Sequence, residues 1–292
     1  MIVDRHGRRH YPAGTPDSRG GEFAPTHGAG WIGRVSDRMS LPSARKLLQD
    51  PDVMDIPELS RELEGRYGRG GRMVVRNVGA HKIGGGRDDA LSVFSPHGHL
   101  DISGEISTGP DDPHPGYFRV TASRTRAEKE TDPLRWVGHI DRMHAHEAGG
   151  SGGGRELTQR FIDWFRDSGF DEVTVGPSEV GNYAWGAMGF DFEDHESRRI
   201  AWEGAMTMTV ESVRDWFGFS GRSYGLSDDG LTDAQIKKMI GQYRRATTLA
   251  LSGGMSYQRL SQYGRRGRAS SDWWAGKLGL LVGGVGGGRI KL

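Results

Sequence analysis

Four residues that can move a proton or hold a metal crowd one stretch: His139, Asp141, His144 and His146. In a strand, 139 and 141 share one face and 144 and 146 the other, because side chains alternate. The set can supply a general base for an amine, or simply the polar rim of a strand. Alternation splits it, so one ion does not take all four, and no metal is expected. A glycine run follows, Gly149-Gly150-Ser151-Gly152-Gly153-Gly154, and then Arg155. Glycine lets backbone N–H groups approach an anion with no Cβ in the way. A helix opening there turns its unpaired donors and positive end toward the same point. That predicts an anion cradle over Gly152, Gly153, Gly154 and Arg155; the same run also reads as a flexible connector.

Several elements must position these groups. A strand is expected at 136–146, a helix at 155–168 with Leu157, Phe161, Ile162, Trp164 and Phe165 as a broad apolar face, a strand at 170–175 and a helix at 179–188. Further strands are expected at 73–78, 90–94, 100–107 and 117–125, separated by Gly/Pro turns. Ahead of them, Leu47 and Leu48 mark one short helix, and Ile56, Leu59, Leu63 and Tyr67 fall on one face of a second. Residues 195–292 read as mostly helical, with Thr232 and Gln235 spaced as a capping box.

The order strand, glycine loop, helix, strand, helix, Gly189-Phe190 over 136–190 resembles the central motif of the GNAT N-acetyltransferase superfamily. Its loop pattern, Gln/Arg-x-x-Gly-x-Gly/Ala, is matched by Gly152 and Gly154, while Gly149 stands at the Gln/Arg position. The resemblance implies an α+β fold: a mixed, mainly antiparallel sheet flanked by helices, here with an extended N-terminal arm and a helical C-terminal extension. It implies that the pyrophosphate of acetyl-coenzyme A would sit over Gly152–Arg155, with Asp141 or Glu147 as base. The family's usual acid is a Tyr four residues before the Gly-Phe pair. Trp185 holds that position, and an indole N–H is no usable acid near neutral pH. Tyr183, two residues earlier, faces elsewhere on a helix.

Residues 1–38 read as an arm punctuated by Pro and Gly, 39–194 as the GNAT-like domain and 195–292 as a helical extension with a glycine-rich tail. Within the arm, Asp17-Ser18-Arg19-Gly20-Gly21-Glu22-Phe23-Ala24-Pro25 resembles short segments of tailed-phage head and portal-associated proteins. That implies a structural protein of a phage virion, a minor capsid or head-associated component, with no resident cofactor. Its partners would be other virion proteins or copies of itself, reached through the arm and through Trp273 and Trp274. The alternative is an active acyl-coenzyme-A-dependent N-acetyltransferase. The two tryptophans also read as packing on their own domain.

Composition bounds these readings. Glycine is 47 of 292 residues, more than twice the usual ~7%. Hydrophobic residues are only 35%, so a core is affordable along part of the chain. With 39 Lys+Arg against 38 Asp+Glu the net charge is +1, which excludes a globally basic nucleic-acid binder. Arg265, Arg266 and Arg268 leave only a local, salt-sensitive contact. Zero cysteines exclude disulfides, thiolate zinc and a cysteine nucleophile. His and Arg in the first ten residues predict no secretory signal, and no apolar run approaches the ~20 residues of a membrane span. A soluble protein of the virion or host cytoplasm is expected.

Overall fold

The structure, a computed structural model, describes residues 2–3, 9–10, 43–49, 65–67, 73–84, 95–107, 112, 115–126, 129–144, 153–177, 181–222, 226–228, 230–265 and 273–292. The chain is α+β, with a mostly antiparallel open sheet. It divides into two compact units. One comprises Trp31–Gly176 with Ile290–Leu292, the other Met1–Gly30 with Pro177–Arg289. The division thus falls at 176/177, where sequence reading placed it at 194/195.

The Trp31–Gly176 unit contains α1 (Ala44–Gln49) and the strands β3 (Gly65–Tyr67), β4 (Met73–Ile83), β5 (His99–Ser107), β6 (Gly116–Thr125) and β7 (Arg135–His144). These five strands run antiparallel in sequence order. After β7 the chain crosses over through α2 (Gly153–Asp167) to β8 (Glu172–Val175), which pairs parallel with β7. Period-two alternation sets the faces. Leu100, Ile102 and Ile106 on β5 and Phe118, Val120 and Ala122 on β6 are buried on one side. α1 and α2 cover that side, bringing Ala44, Leu47 and Leu48 from one and Leu157, Phe161, Ile162 and Phe165 from the other. The Phe118 and Phe161 rings meet at 5.5 Å. Each such large side chain, fully buried, contributes about 1.5–3 kcal/mol. The Ala44 N–H donates to Ser168 Oγ at 3.0 Å, joining the start of α1 to the end of α2.

Two expectations differ here. The helix expected through Tyr67 does not reach it: Gly65–Tyr67 is strand, paired with Met73–Val75, while residues 50–64 lie outside the described set. The spacing of Tyr67 to Leu63 fits a helix, but backbone pairing with β4 decides its state. The strand expected at 90–94 also lies outside the described residues.

The second unit holds α3 (Gly181–Ala187), β9 (Asp191–Phe192), α4 (His195–Thr207), α5 (Val210–Trp216) running into a π-helical turn (Phe217–Gly221), α6 (Asp233–Leu251), α7 (Tyr257–Ser261) and α8 (Ala275–Gly283). The start of β10 (Gly288–Lys291) pairs antiparallel with β9. In the arm, β1 (Ile2–Val3) pairs with β2 (Arg9–His10), a contact that the absence of any strand period there did not anticipate; the rest of residues 1–38 lies outside the described set.

α6 opens with the expected capping box: Thr232 Oγ1 accepts from the Gln235 N–H at 3.3 Å and Gln235 Oε1 from the Thr232 N–H at 2.8 Å. Its buried face runs Ile236, Met239, Ile240, Tyr243, Ala246, Thr247, Ala250. Ahead of the Gly283–Gly288 run the chain is packed: Ala275, Gly276 and Leu278–Leu281 of α8 are buried. In α8, Gly276 and Gly279 share a face, and a Cβ on Gly279 would fall 2.2 Å from the Tyr243 ring. Glycine there lets a helix whose one charged residue is Lys277 pack directly against α6. Trp273 and Trp274 are buried within this unit, donating their indole N–H groups to the carbonyls of Ser227 and Ser261 at 3.0 and 2.8 Å.

Candidate functional site

The site residues that can be placed together lie where β7 changes partners. Gly138 on β7 lets the Phe165 ring of α2 lie against the strand: a Cβ there would be 2.6 Å from the ring. Beside it, Val137, Gly138, His139 and Ile140 pair with Glu172, Val173, Thr174 and Val175. Among the described pairs this ladder stops at Ile140 and Val175, while β7 continues to His144 along β6. The register to β6 slips at the same point. Val120 faces Ile140, but Arg119 faces Arg142, so Asp141 is an extra residue. This β-bulge bends and twists the strand where it parts from β8. Beyond that point Asp141–His144 has no described strand neighbour on the β8 side, a break in the ladder termed the notch.

The bulge corrects the facing expected for the histidines. His139 pairs with Thr121 and His144 with Tyr117, both on the polar face of β6, so His144 returns to the face of His139. One inserted residue reverses the alternation beyond it. His144 stacks on Tyr117 at 5.5 Å, and Arg142 lies over the same ring. Among the described residues no three His, Asp or Glu side chains gather as metal ligands. His146 lies outside the described set.

Asp141 is engaged. Arg119 of β6 places Nη1 3.5 Å from Asp141 Oδ2 and binds Asp101 of β5 through Nε at 2.9 Å and through Nη2. Asp101 is 2% exposed, and it and Asp141 hold the Arg119 guanidinium above its ordinary pKa, chiefly through the Asp101 hydrogen bond. His139 Nδ1 is 2.8 Å from Thr174 Oγ1. Burial lowers the His139 pKa, against an opposing pull from Asp141, so the ring is neutral at pH 7.

No protein-family model matches the sequence, and no curated protein matches it. The chemistry must therefore be read from the geometry.

Of the cradle, Gly153, Gly154 and Arg155 form the first turn of α2, Arg155 is exposed, and Thr158 Oγ1 donates to the Gly154 carbonyl at 2.8 Å. Glu147, Gly149 and Gly152 lie outside the described residues. Trp185 belongs to the other unit, on α3, where it is buried with its ring edge-on to Phe190 at 5.6 Å. Tyr183 lies edge-on to Trp274 at 5.8 Å. Arg265 sits over the Trp274 ring and donates to Gln262 Oε1, while Arg266 and Arg268 lie outside the described set. No described helix is long and apolar enough to cross a membrane.

Arg119 and Asp101 were not read from the sequence as site residues. Their signal was alternation: both occupy outward positions of strands whose other face is apolar, where opposite charges on neighbouring strands can meet.

Proposed function

We propose that the protein is a structural, interaction-type component of a phage virion, a minor capsid or head-associated protein built on an acetyltransferase-like unit that no longer transfers acyl groups. The observation that carries this reading is the bridge from Arg119 to both Asp101 and Asp141. The carboxylate best placed as a base is bound into a strand-to-strand clamp. The acyl-transfer ancestry is supported by the parallel β7–β8 pair, the bulge at Asp141 and the helix that follows the glycine run. Loss of activity is supported by Trp185, an indole at the acid position, buried against Phe190. The virion assignment rests on the 17–25 segment, whose residues lie outside the described set. A scaffold can persist after its chemistry is gone.

The second reading, an acyl-coenzyme-A-dependent N-acetyltransferase, is favoured by the notch itself. There Asp141 or Glu147 would accept the amine proton and Gly152–Arg155 would hold pyrophosphate, with positioning supplying the rate.

Two measurements decide between them. Thiol release from acetyl-coenzyme A is followed with the full chain and a panel of amines: a polyamine, an amino sugar and a peptide N-terminus. The expected rate equals the protein-free blank, and sustained turnover establishes the enzyme instead. Mass spectrometry of purified virions of the encoding phage should detect the chain among the head proteins; its absence overturns the virion assignment.

A further inference from the structure

At the opposite end of β7 from the bulge, basic side chains from three segments gather around one indole, with Lys82 of a fourth close enough to act on His97. Trp136, second residue of β7, is 8% exposed. The Arg45 guanidinium of α1 lies 5.1 Å from its ring centroid, and that of Arg124, at the end of β6, lies 5.3 Å from it. The His97 imidazole, from the turn before β5, stacks on the indole at 6.3 Å with the planes 9° apart. Arg124 Nη1 is 3.3 Å from His97 Nε2. Since a guanidinium only donates, the imidazole accepts there and carries its proton on Nδ1. Lys82, near the end of β4, donates from Nζ to the Leu48 carbonyl at 2.7 Å.

Among the described residues, no carboxylate meets Arg45, Lys82 or Arg124. Elsewhere in this unit, Arg119 holds two carboxylates and Arg135 pairs with Glu172 at 3.3 Å. The Nε atoms of Arg45 and Arg124 are buried with no acceptor among the described residues. His97 reports the same imbalance: its pKa is lowered by burial and then by Arg124 and Lys82. Stacking on an indole returns roughly 0.5–2 kcal/mol per cation. It leaves the buried N–H groups unbonded and the like charges unscreened.

An anion that accepts from both guanidinium groups removes both costs. Three fixed positive charges exceed what one carboxylate neutralises. A phosphate carries up to two charges and offers several oxygens to the planar fork of arginine. We infer that Arg45, Lys82, His97 and Arg124, arranged around Trp136, form a binding site for a phosphate group. The site does not depend on the acyl-transfer reading. Asp141 is five residues farther along β7, roughly 16 Å at the rise of a strand. The phosphate belongs either to a small phosphorylated compound or to a nucleic-acid backbone, which present the same group.

The test titrates the full chain calorimetrically with inorganic pyrophosphate and with a short single-stranded oligonucleotide, each at two salt concentrations. Pyrophosphate should bind, and Arg45→Gln and Arg124→Gln should each weaken it about tenfold or more, while Arg245→Gln on the exposed side of α6 leaves it unchanged. Tighter oligonucleotide binding with a steep salt dependence assigns the site to a nucleic-acid backbone. Binding of pyrophosphate alone assigns it to a small ligand. If a glutamine variant does not fold, Arg124→Lys keeps the charge without the fork and should still lose affinity. Absence of binding by both probes overturns the inference, as does an equal loss in Arg245→Gln or unchanged affinity in Arg124→Lys and His97→Gln together.

Discussion

Arg119 of β6 reaches Asp141 of β7 at 3.5 Å although its register partner is Arg142, and Asp141 is the extra residue of a bulge. The same guanidinium reaches Asp101, which is buried where Asp141 is partly exposed. One cation thus serves two carboxylates of unequal weight. Replacing Arg119 by Leu strands the buried Asp101 and should destabilise the fold by about 1–3 kcal/mol. Asp141→Asn removes a longer, solvent-facing pair and should cost no more than about 1 kcal/mol. Chemical denaturation of both variants checks the ranking; equal losses would place the weight on Asp141 instead.

Asp194 caps α4, accepting from the Ser197 N–H and Oγ at 2.7 Å each. Burial pushes its pKa up, but the Ser197 hydrogen bonds and the charge of Arg289 outweigh this and leave it below the ordinary carboxylate value. A depressed carboxylate stabilises the folded chain above the unfolded pKa, and that stability fades as pH falls through the folded one. Asp194→Asn should therefore flatten the loss of stability on acidification below about pH 4. Denaturation midpoints measured across that range test it, and parallel curves for the two proteins would rule the contribution out.

Two helix glycines should respond in opposite directions. Gly279→Ala drives a methyl into the Tyr243 ring and should destabilise by about 1–3 kcal/mol or more. Gly241→Ala, inside α6 with open space at its Cβ, should stabilise by up to about 1 kcal/mol. Thermal melts of the pair separate close packing from backbone propensity, and a stabilising Gly279→Ala would refute the tight α6–α8 contact.

Tyr243 is fully buried with a hydroxyl that has no partner among the described residues, and burial raises its pKa far above the ordinary value. Tyr243→Phe deletes that oxygen and keeps the ring, so stability should hold or rise. A loss above about 1 kcal/mol would reveal a hydrogen bond to an internal water.

Much of this fold was legible because its signals are local. The alternation of Leu100 and Ile102, or of Phe118, Val120 and Ala122, needs only a period of two. The Thr232–Gln235 box needs only three residues of separation. What stayed hidden depends on register between distant segments. The bulge at Asp141 shows only when β7 is laid against β6, and it alone returns His144 to the face of His139. The Arg119 clamp needs three strands in place at once. Gly276 and Gly279 look like breakers until α8 is set against its neighbours, where lacking a side chain is what packing requires.

The proposed function holds that the site beside Asp141 descends from an acyl-transfer site and no longer carries its chemistry. Calorimetric titration of the full chain with acetyl-coenzyme A tests it most directly, with Arg155→Gln and Arg124→Gln in parallel. The account predicts no saturable heat that depends on Arg155. Stoichiometric binding abolished by Arg155→Gln and untouched by Arg124→Gln would contradict it and return the notch to catalysis.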